Sequence, residues 1–570
     1  MKNSKYFLGA LFGVALYQVG NIANTRVQPS LDANTEVAMC GSPGSIVDIG
    51  PDGKFIKPLT GWGNLHYPIS TKSDSAQFYF NQGLSLYYSY HFPEAVASFK
   101  EASRFDPASA MTYWGLALAR GPFYNTYHYP MPTDVPATIA EMKKYASAAS
   151  EKEKDLIETL SKRYSNDLSN SDRKQLDRSY ATSLAALGEK YPDDNNIKAL
   201  YIDAVMLEHK WDFWDQQGKP RAWTNELVSL CETILKKEEH PAVLHYYIHV
   251  TEASHQPGRA LEAADKLKDK ITGVGHMVHM SSHMYQRNGL YTKGVKVNDD
   301  ANEANNNIAK IAPGVGFGTN KSIHYYAVQS QCAMTAGMYK DGLRIYQRAR
   351  DRQVAMDPDF VKDPYTQFVY MMPTMALTRL GKWDEILAST KPDANWKYAS
   401  VLDNFARGMA FIGKKDLESA RQSLEQLDEA MKDEGLKARF MPFNSPLQSC
   451  KIASDLLRGR LLFEEGKQSE SVAAFKRAVI EEDAMVYREP QDWLIPARQY
   501  LGAYLLKMNK AAEAEKAYRE DLVHNPGNGW SLTGLQLALK AQNKPEATTV
   551  EAQVKKAFES ADVVVKESVF

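Results

Sequence analysis

The chain has 570 residues, 44% hydrophobic and 24% charged, with 68 basic and 69 acidic side chains giving a formal net charge of −1. That is the balance of an ordinary globular protein, long enough for several domains or for one long array of repeats. Near-neutrality, with no basic run, argues against nucleic acid or an anionic membrane as partner.

Lys2 and Lys5 precede an apolar run at 7–17. A short basic lead and about eleven apolar residues suit a secretory signal over 1–23 better than a spanning helix of ~20 residues. The expectation is export, to a periplasm, with an uncleaved N-terminal anchor as the alternative and no other stable membrane span. Cys40 is too far from that run for a lipid anchor. Cys40, Cys231, Cys332 and Cys450 show no CxxC spacing, and Cys231 and Cys332 fall in helical patterns as buried thiols. Residues 24–75 are rich in Gly and Pro and read as an irregular arm, with His66 on it as part of a lid over the groove.

From Ala76 the pattern changes. Gly83, Ala95, Phe99, Ala102 and Pro107 fall at positions 8, 20, 24, 27 and 32 of a 34-residue unit, where a helical hairpin needs small residues for its two helices to cross and a proline to close the turn. The register recurs from Ala110, Pro241, Gly275, Ile323, Val401, Ile452, Ile495 and, more weakly, Gly529, and it blurs between Pro122 and Pro241. This closely resembles the tetratricopeptide repeat (TPR). The implied fold is all-α: a right-handed α-solenoid of about ten hairpins behind an irregular arm. Its divisions are 1–23, 24–75, decorated N-terminal repeats over 76–240, histidine-bearing repeats over 241–350 and C-terminal repeats over 351–570.

Within that class, residues 60–545 resemble a group of exported TPR proteins. The resemblance rests on HYPISTKSDSAQFYFNQGLSLYYSYHFPEA, LHYYIHVTEAS, GHMVHMSSHMY, YREPQDW and DLVHNPGNGWSLTGLQLAL. Gln491 stands where Pro is expected, and His66 is single where related chains often have two. The resemblance implies a fold and marks blocks; it implies no reaction.

The chemistry-bearing feature is a histidine grid. His245 and His249 are four apart, as are His279 and His283, and the pairs are offset by 34 residues. They therefore occupy positions 5 and 9 of adjacent first helices, which line the concave groove, with Glu252 at position 12 and His276 and His324 at position 2 of the next two units. With one helical turn of ~6 Å between positions and ~9–10 Å between axes, four imidazoles can converge on one ion. The nitrogen donors suit zinc, copper, iron or nickel, with Glu252 or Tyr285 as acceptors for the rings' second nitrogens. A lone HxxxH is more often a polar groove residue or a satisfied core residue; the match across two units favours the ion.

His240 and His255 read as structural, and His524 receives no role. The segment 487–493 is an inter-repeat loop with Trp493 as a packing or groove residue and Glu489 as a candidate acid, base or ligand. Trp211, Asp212, Phe213, Trp214 and Asp215 have a sugar-binding composition, but more often such a loop plugs an irregular hairpin. Among ligand contacts of the groove we expect His324, Tyr285 and Trp493.

No nucleophile elbow, phosphate loop, dinucleotide fingerprint or HExxH is present. The reading is an exported scaffold binding a peptide, protein or small ligand in its groove, with a transition-metal site in the histidines. The alternatives are a metal-dependent oxidoreductase or hydrolase using Glu252 or Glu489 for proton transfer, and metal storage or delivery.

Overall fold

The computed structural model describes residues 47–125, 129–167, 169, 172–312, 321–356, 363–438 and 443–570. The signal segment, Cys40 and the first part of the arm lie outside the described residues. Among the described residues the protein is an all-helical solenoid, with no strand and one isolated bridge, Trp214 to Pro220.

The first hairpin shows how sequence becomes structure. Helix Asp74–Tyr88 starts where the Ser73 side chain accepts from the Ala76 N–H, satisfying one of the orphan donors of the first turn. Helix Phe92–Phe105 starts with a proline in its first turn, where no hydrogen bond is lost. The Phe99 ring then fills the space left by two glycines. A Cβ on Gly83 would stand 2.9 Å from it, and one on Gly115, in the next helix along, 2.2 Å. The same wedge recurs at Tyr518, between Gly502 and Gly534, where added Cβ atoms would lie 2.5 and 2.1 Å away. The aromatic at position 24 therefore joins its own unit to the next, and the glycines at positions 8 and 6 make room for it.

The expected units map onto helix pairs Pro241–Thr251 and Leu261–Lys270, Gly275–Arg287 and Tyr291–Ile311, and Lys321–Thr335 and Tyr339–Met356. The C-terminal units follow as Lys397–Gly413 with Leu417–Ala430, Pro446–Glu464 with Gln468–Asp483, Ala497–Lys507 with Ala511–His524, and Gly529–Ala541 with Glu546–Ala557. Two large apolar clusters result, one running from Val47 to Ala312 and one from Ile323 to Val569. The histidine-bearing helices stand where one gives way to the other. Cys231, Cys332 and Cys450 are buried free thiols, raised by that burial.

One expectation needs correction. The arm is irregular over 47–73, but its described part does not cover the histidines. It lies along the first hairpin, with Leu59 N–H on Gln82, Tyr67 N–H on Asn81 and Ile69 N–H on Gln77, and His66 pairs with Asn81 at 3.0 Å. Backbone donors without a ladder find side-chain acceptors on the nearest helix. The 487–493 loop reaches helix Lys321–Thr335. Gln491 and Gln331 bond to each other twice, side chain to side chain at 2.9 Å and Gln491 N–H to the Gln331 carbonyl oxygen of the amide at 3.2 Å. The C-terminal repeats also meet the middle of the array: Arg287 reaches the His524 carbonyl at 3.3 Å, Asp562 N–H donates to the Gly337 carbonyl at 3.0 Å, and Phe570 packs on Gly381.

Candidate metal centre

Five of the six grid histidines are buried: His245, His249, His276, His279 and His283 are each at most 3% exposed, while His324 is half-buried. So many imidazoles in a core are costly unless each nitrogen has a partner.

The sequence placed His245, His249, His279 and His283 around one ion, with His276 as a further candidate ligand. The side chains instead form two triads, His245–His249–His276 and His279–His283–His324, each with one candidate ligand atom per residue within 4.8 Å of the others. The triads obey one rule: positions 5 and 9 of one first helix plus position 2 of the next. His245 Nε2 lies 3.1 Å from His276 Nε2, and His283 Nε2 lies 3.0 Å from His279 Nε2. Two nitrogens each ~2.0–2.1 Å from one ion are roughly 2.9–3.4 Å apart for angles between a right angle and the tetrahedral value.

What stands behind the rings fixes which nitrogen faces inward. His245 Nδ1 is 2.8 Å from the Tyr88 carbonyl, so it donates there and turns the Nε2 lone pair toward His276. His279 Nδ1 is 2.5 Å from Asn298 Oδ1. Asn298 Nδ2 is committed to the Gly294 carbonyl at 2.8 Å, which sets the amide so that its oxygen meets the ring. His249 Nδ1 meets Glu252 Oε1 at 3.0 Å, and His283 Nδ1 meets Glu252 Oε2 at 2.9 Å. One carboxylate therefore supports a histidine of each triad. The buried His249 Nε2 has no hydrogen-bond partner. An orphaned lone pair facing two other imidazoles is what a transition-metal ion would satisfy, so the residues fit such an ion.

A third group overlaps the second triad: Glu252, His283 and Glu489. Glu489 is buried and contacts His283 Nδ1; beyond that ring neither of its oxygens has a partner. Burial would raise the Glu252 carboxyl, but the His249 and His283 rings at its two oxygens hold it down at about 2. Burial lifts Glu489 to about 7 against the pull of His283. Burial would lower His283, yet Glu489 and Glu252 push it up to about 10. Without an ion, an imidazolium at His283 is the cation these carboxylates require.

Aromatic rings wall the first triad. Tyr90 lies against all three rings, with centroids 4.7, 5.9 and 5.6 Å from His245, His249 and His276, and Trp211 meets His249 edge-on at 5.9 Å. Tyr90 is held at φ 55, a left-handed backbone that costs a tyrosine energy. Tyr325 stacks on His279 at 4.0 Å. In the segment 211–215, Phe213 is buried, Trp214 donates to the Val250 carbonyl at 2.7 Å, and the Trp211 ring reaches the site.

Several expectations fall elsewhere. Tyr285 is no acceptor for the grid: its hydroxyl contacts Asp265, on the far side of its helix. Trp493 is 2% exposed, donates to the Ile495 carbonyl at 2.6 Å and packs on Phe405, so it serves packing first, at the edge of a cavity. Glu252 and Glu489 come to the centre, and His324 completes the second triad. His240 pairs with Asn196 at 3.2 Å, outside the site.

Tyr88, Tyr90, Asn298 and Tyr325 were missed. Only Asn298 left a legible mark. It is position 24 of its unit, where sister units carry Phe99, Phe475 or Tyr518.

Fold and site together define an all-helical repeat protein with a buried imidazole–carboxylate cluster. No protein-family model matches the chain, and no curated protein does. Among solved structures it is similar to yeast Tom70, at 14% identity over 80% of this chain and 92% of that one, with a TM-score of 0.29. It is also similar to the human IFIT1 dimer with m7Gppp-AAAA, at 11% identity over 86% and 91%, with a TM-score of 0.28. A third is the APC/C hetero-tetramer Cut9–Hcn1, at 11% over 87% and 95%, with a TM-score of 0.27. Likeness at this level concerns helical architecture and carries nothing about function.

Proposed function

We propose that the chain is an exported helical-repeat scaffold that holds transition-metal ions in its two imidazole triads, next to a groove that receives a ligand. The observation that carries this reading is the buried, unpartnered Nε2 of His249, its ring pinned from behind by Glu252 and its lone pair turned toward His245 and His276. Nitrogen donors favour zinc, copper, iron or nickel over calcium or magnesium. His245, His249 and His276 would hold one ion, and His279, His283 and His324 the other. A bound ion there supplies Lewis acidity or redox chemistry; the chain supplies dry walls and oriented rings. Export rests on the sequence of residues 1–23 alone.

A second reading, a metal-dependent enzyme, is favoured by one observation. Glu489 arrives from a distant repeat, has no donor beyond His283, and sits beside a large cavity. A carboxylate so placed can hold or move a proton at its Oε atoms.

Metal analysis of protein purified from metal-replete cells tests the site. We expect close to two ions per chain, with His245→Ala and His279→Ala each losing one. Wild-type protein with far less than one ion per chain, after offering each of the four metals, would overturn the reading. Fractionation of cells producing the full chain tests export.

A further inference from the structure

Beside the centre lies a cavity of about 670 Å³, bordered by Trp211, Trp214, Phe443, Tyr487, Trp493 and Arg287. Its size is that of a small-molecule site, and five aromatic rings share its walls with a larger number of charged and polar side chains. Trp211 and the 487–493 loop separate it from the histidines.

The charges around it are mostly settled. Arg221 pairs with Asp212 at 2.7 Å, Arg498 with Asp483 at 2.6 Å, and Arg488 with Asp492. Arg287 differs. Its Nε donates to the Glu252 carbonyl at 3.1 Å, one terminal nitrogen to the Ser254 carbonyl at 2.8 Å and the other to His524 at 3.3 Å. Among the described residues it makes no ion pair within 4.0 Å. Its five N–H groups are thus only partly used, and the neighbouring Glu489 is taken by His283. The guanidinium lies over the Tyr487 ring at 5.0 Å, and the Tyr487 hydroxyl is buried without a partner.

We propose that this cavity binds an organic carboxylate, its charged group on Arg287 and the Tyr487 hydroxyl, its body against Trp211, Trp214 and Phe443. A planar carboxylate matches the guanidinium fork. A dianion such as phosphate is disfavoured, because Asp212, Asp215, Glu482, Asp483, Asp492 and Asp521 also line the wall. The inference does not rest on the metal reading.

The test is calorimetric titration of the full chain, metal-stripped and metal-replete, with 3-phenylpropionate, its amide and inorganic phosphate. We expect the carboxylate to bind both preparations at least about tenfold more tightly than the amide or phosphate, and Arg287→Gln to lose about tenfold or more. Tyr487→Phe should weaken binding by several-fold without lowering the melting temperature. Should Arg287→Gln fail to fold, the carboxylate–amide difference and the position of 3-phenylpropionate in a soaked crystal decide. Equal binding of acid and amide, tighter phosphate, no binding to about 10 mM, or density away from Arg287 would overturn the proposal. So would binding that needs metal and vanishes in His245→Ala or His279→Ala, since the carboxylate would then sit on an ion. That last result would leave the metal reading standing.

Discussion

Glu252→Gln is the sharpest perturbation of the centre, because it keeps the shape and removes one acceptor. In the native side chain, Oε1 takes His249 Nδ1 at 3.0 Å and Oε2 takes His283 Nδ1 at 2.9 Å. A glutamine can accept from only one of them and presents an NH₂ to the other. The ring facing that NH₂ must place its lone pair on Nδ1 and its proton on Nε2, which disables it as a ligand. Loss of such a supporting acceptor costs roughly 10–100-fold in metal affinity, or about 1.4–2.8 kcal/mol. The loss should be unequal. His283 retains Glu489, whereas His249 has no second acceptor. We therefore expect the ion of His245, His249 and His276 to weaken by the full amount, and that of His279, His283 and His324 by less. Competition with a chromophoric chelator, resolved into two sites by comparison with His245→Ala and His279→Ala, measures both. Two affinities within about threefold of wild type would refute the reasoning that Glu252 sets the tautomers.

Four further outcomes follow from the scaffold. Gly502→Ala puts a Cβ 2.5 Å from Tyr518, a ring already held by Gly534, and should destabilise by about 1–3 kcal/mol in urea unfolding; Gly188→Ala, a helical position with nothing within 4 Å, should stabilise by about 0.5–1 kcal/mol. Burial depresses the folded His240 to about 4, while the unfolded ring titrates near 6.5, so between these values only the unfolded chain takes up the proton. Stability should fall as pH drops from about 6.5 to about 4, by up to roughly 3 kcal/mol, and His240→Asn should flatten that slope in urea midpoints of metal-stripped protein. Cys231, Cys332 and Cys450, buried and with raised thiols, should stay unreactive to an aromatic disulfide reagent until the chain unfolds.

The repeat was legible because it is local. A glycine at position 8, alanines at 20 and 27 and an aromatic at 24 recur every 34 residues, and each meets a neighbour within its hairpin or the next. Half the centre was legible for the same reason: His245 with His249, and His279 with His283, share a turn of helix. The division into two triads was not, because the estimate set consecutive helices level. Position 5 of one helix meets position 2 of the next, an offset of three residues or ~4.5 Å along the axis. The partners behind the rings were hidden by distance in the chain. Tyr88 lies 157 residues before His245, and Glu489 follows His283 by more than two hundred residues. Tyr285 was misplaced because its nearness in sequence to His283 says nothing about which way its helix turns it.

The joining of the central repeats to the C-terminal ones has a thermodynamic consequence. Stacked repeats ordinarily contact only their neighbours, so segments can fray or fold in turn, like a one-dimensional chain of weakly linked units. Here Gly289 lies against Pro526 and Gly527, Asp562 ties to Gly337, and Glu489 crosses to His283. Opening the array at any one of these seams removes partners more than two hundred residues away. Such a molecule should lose its C-terminal repeats and its histidine centre together, in a single transition, and a chain truncated before Glu489 should lack both the seam and one of the carboxylates that the centre is built around.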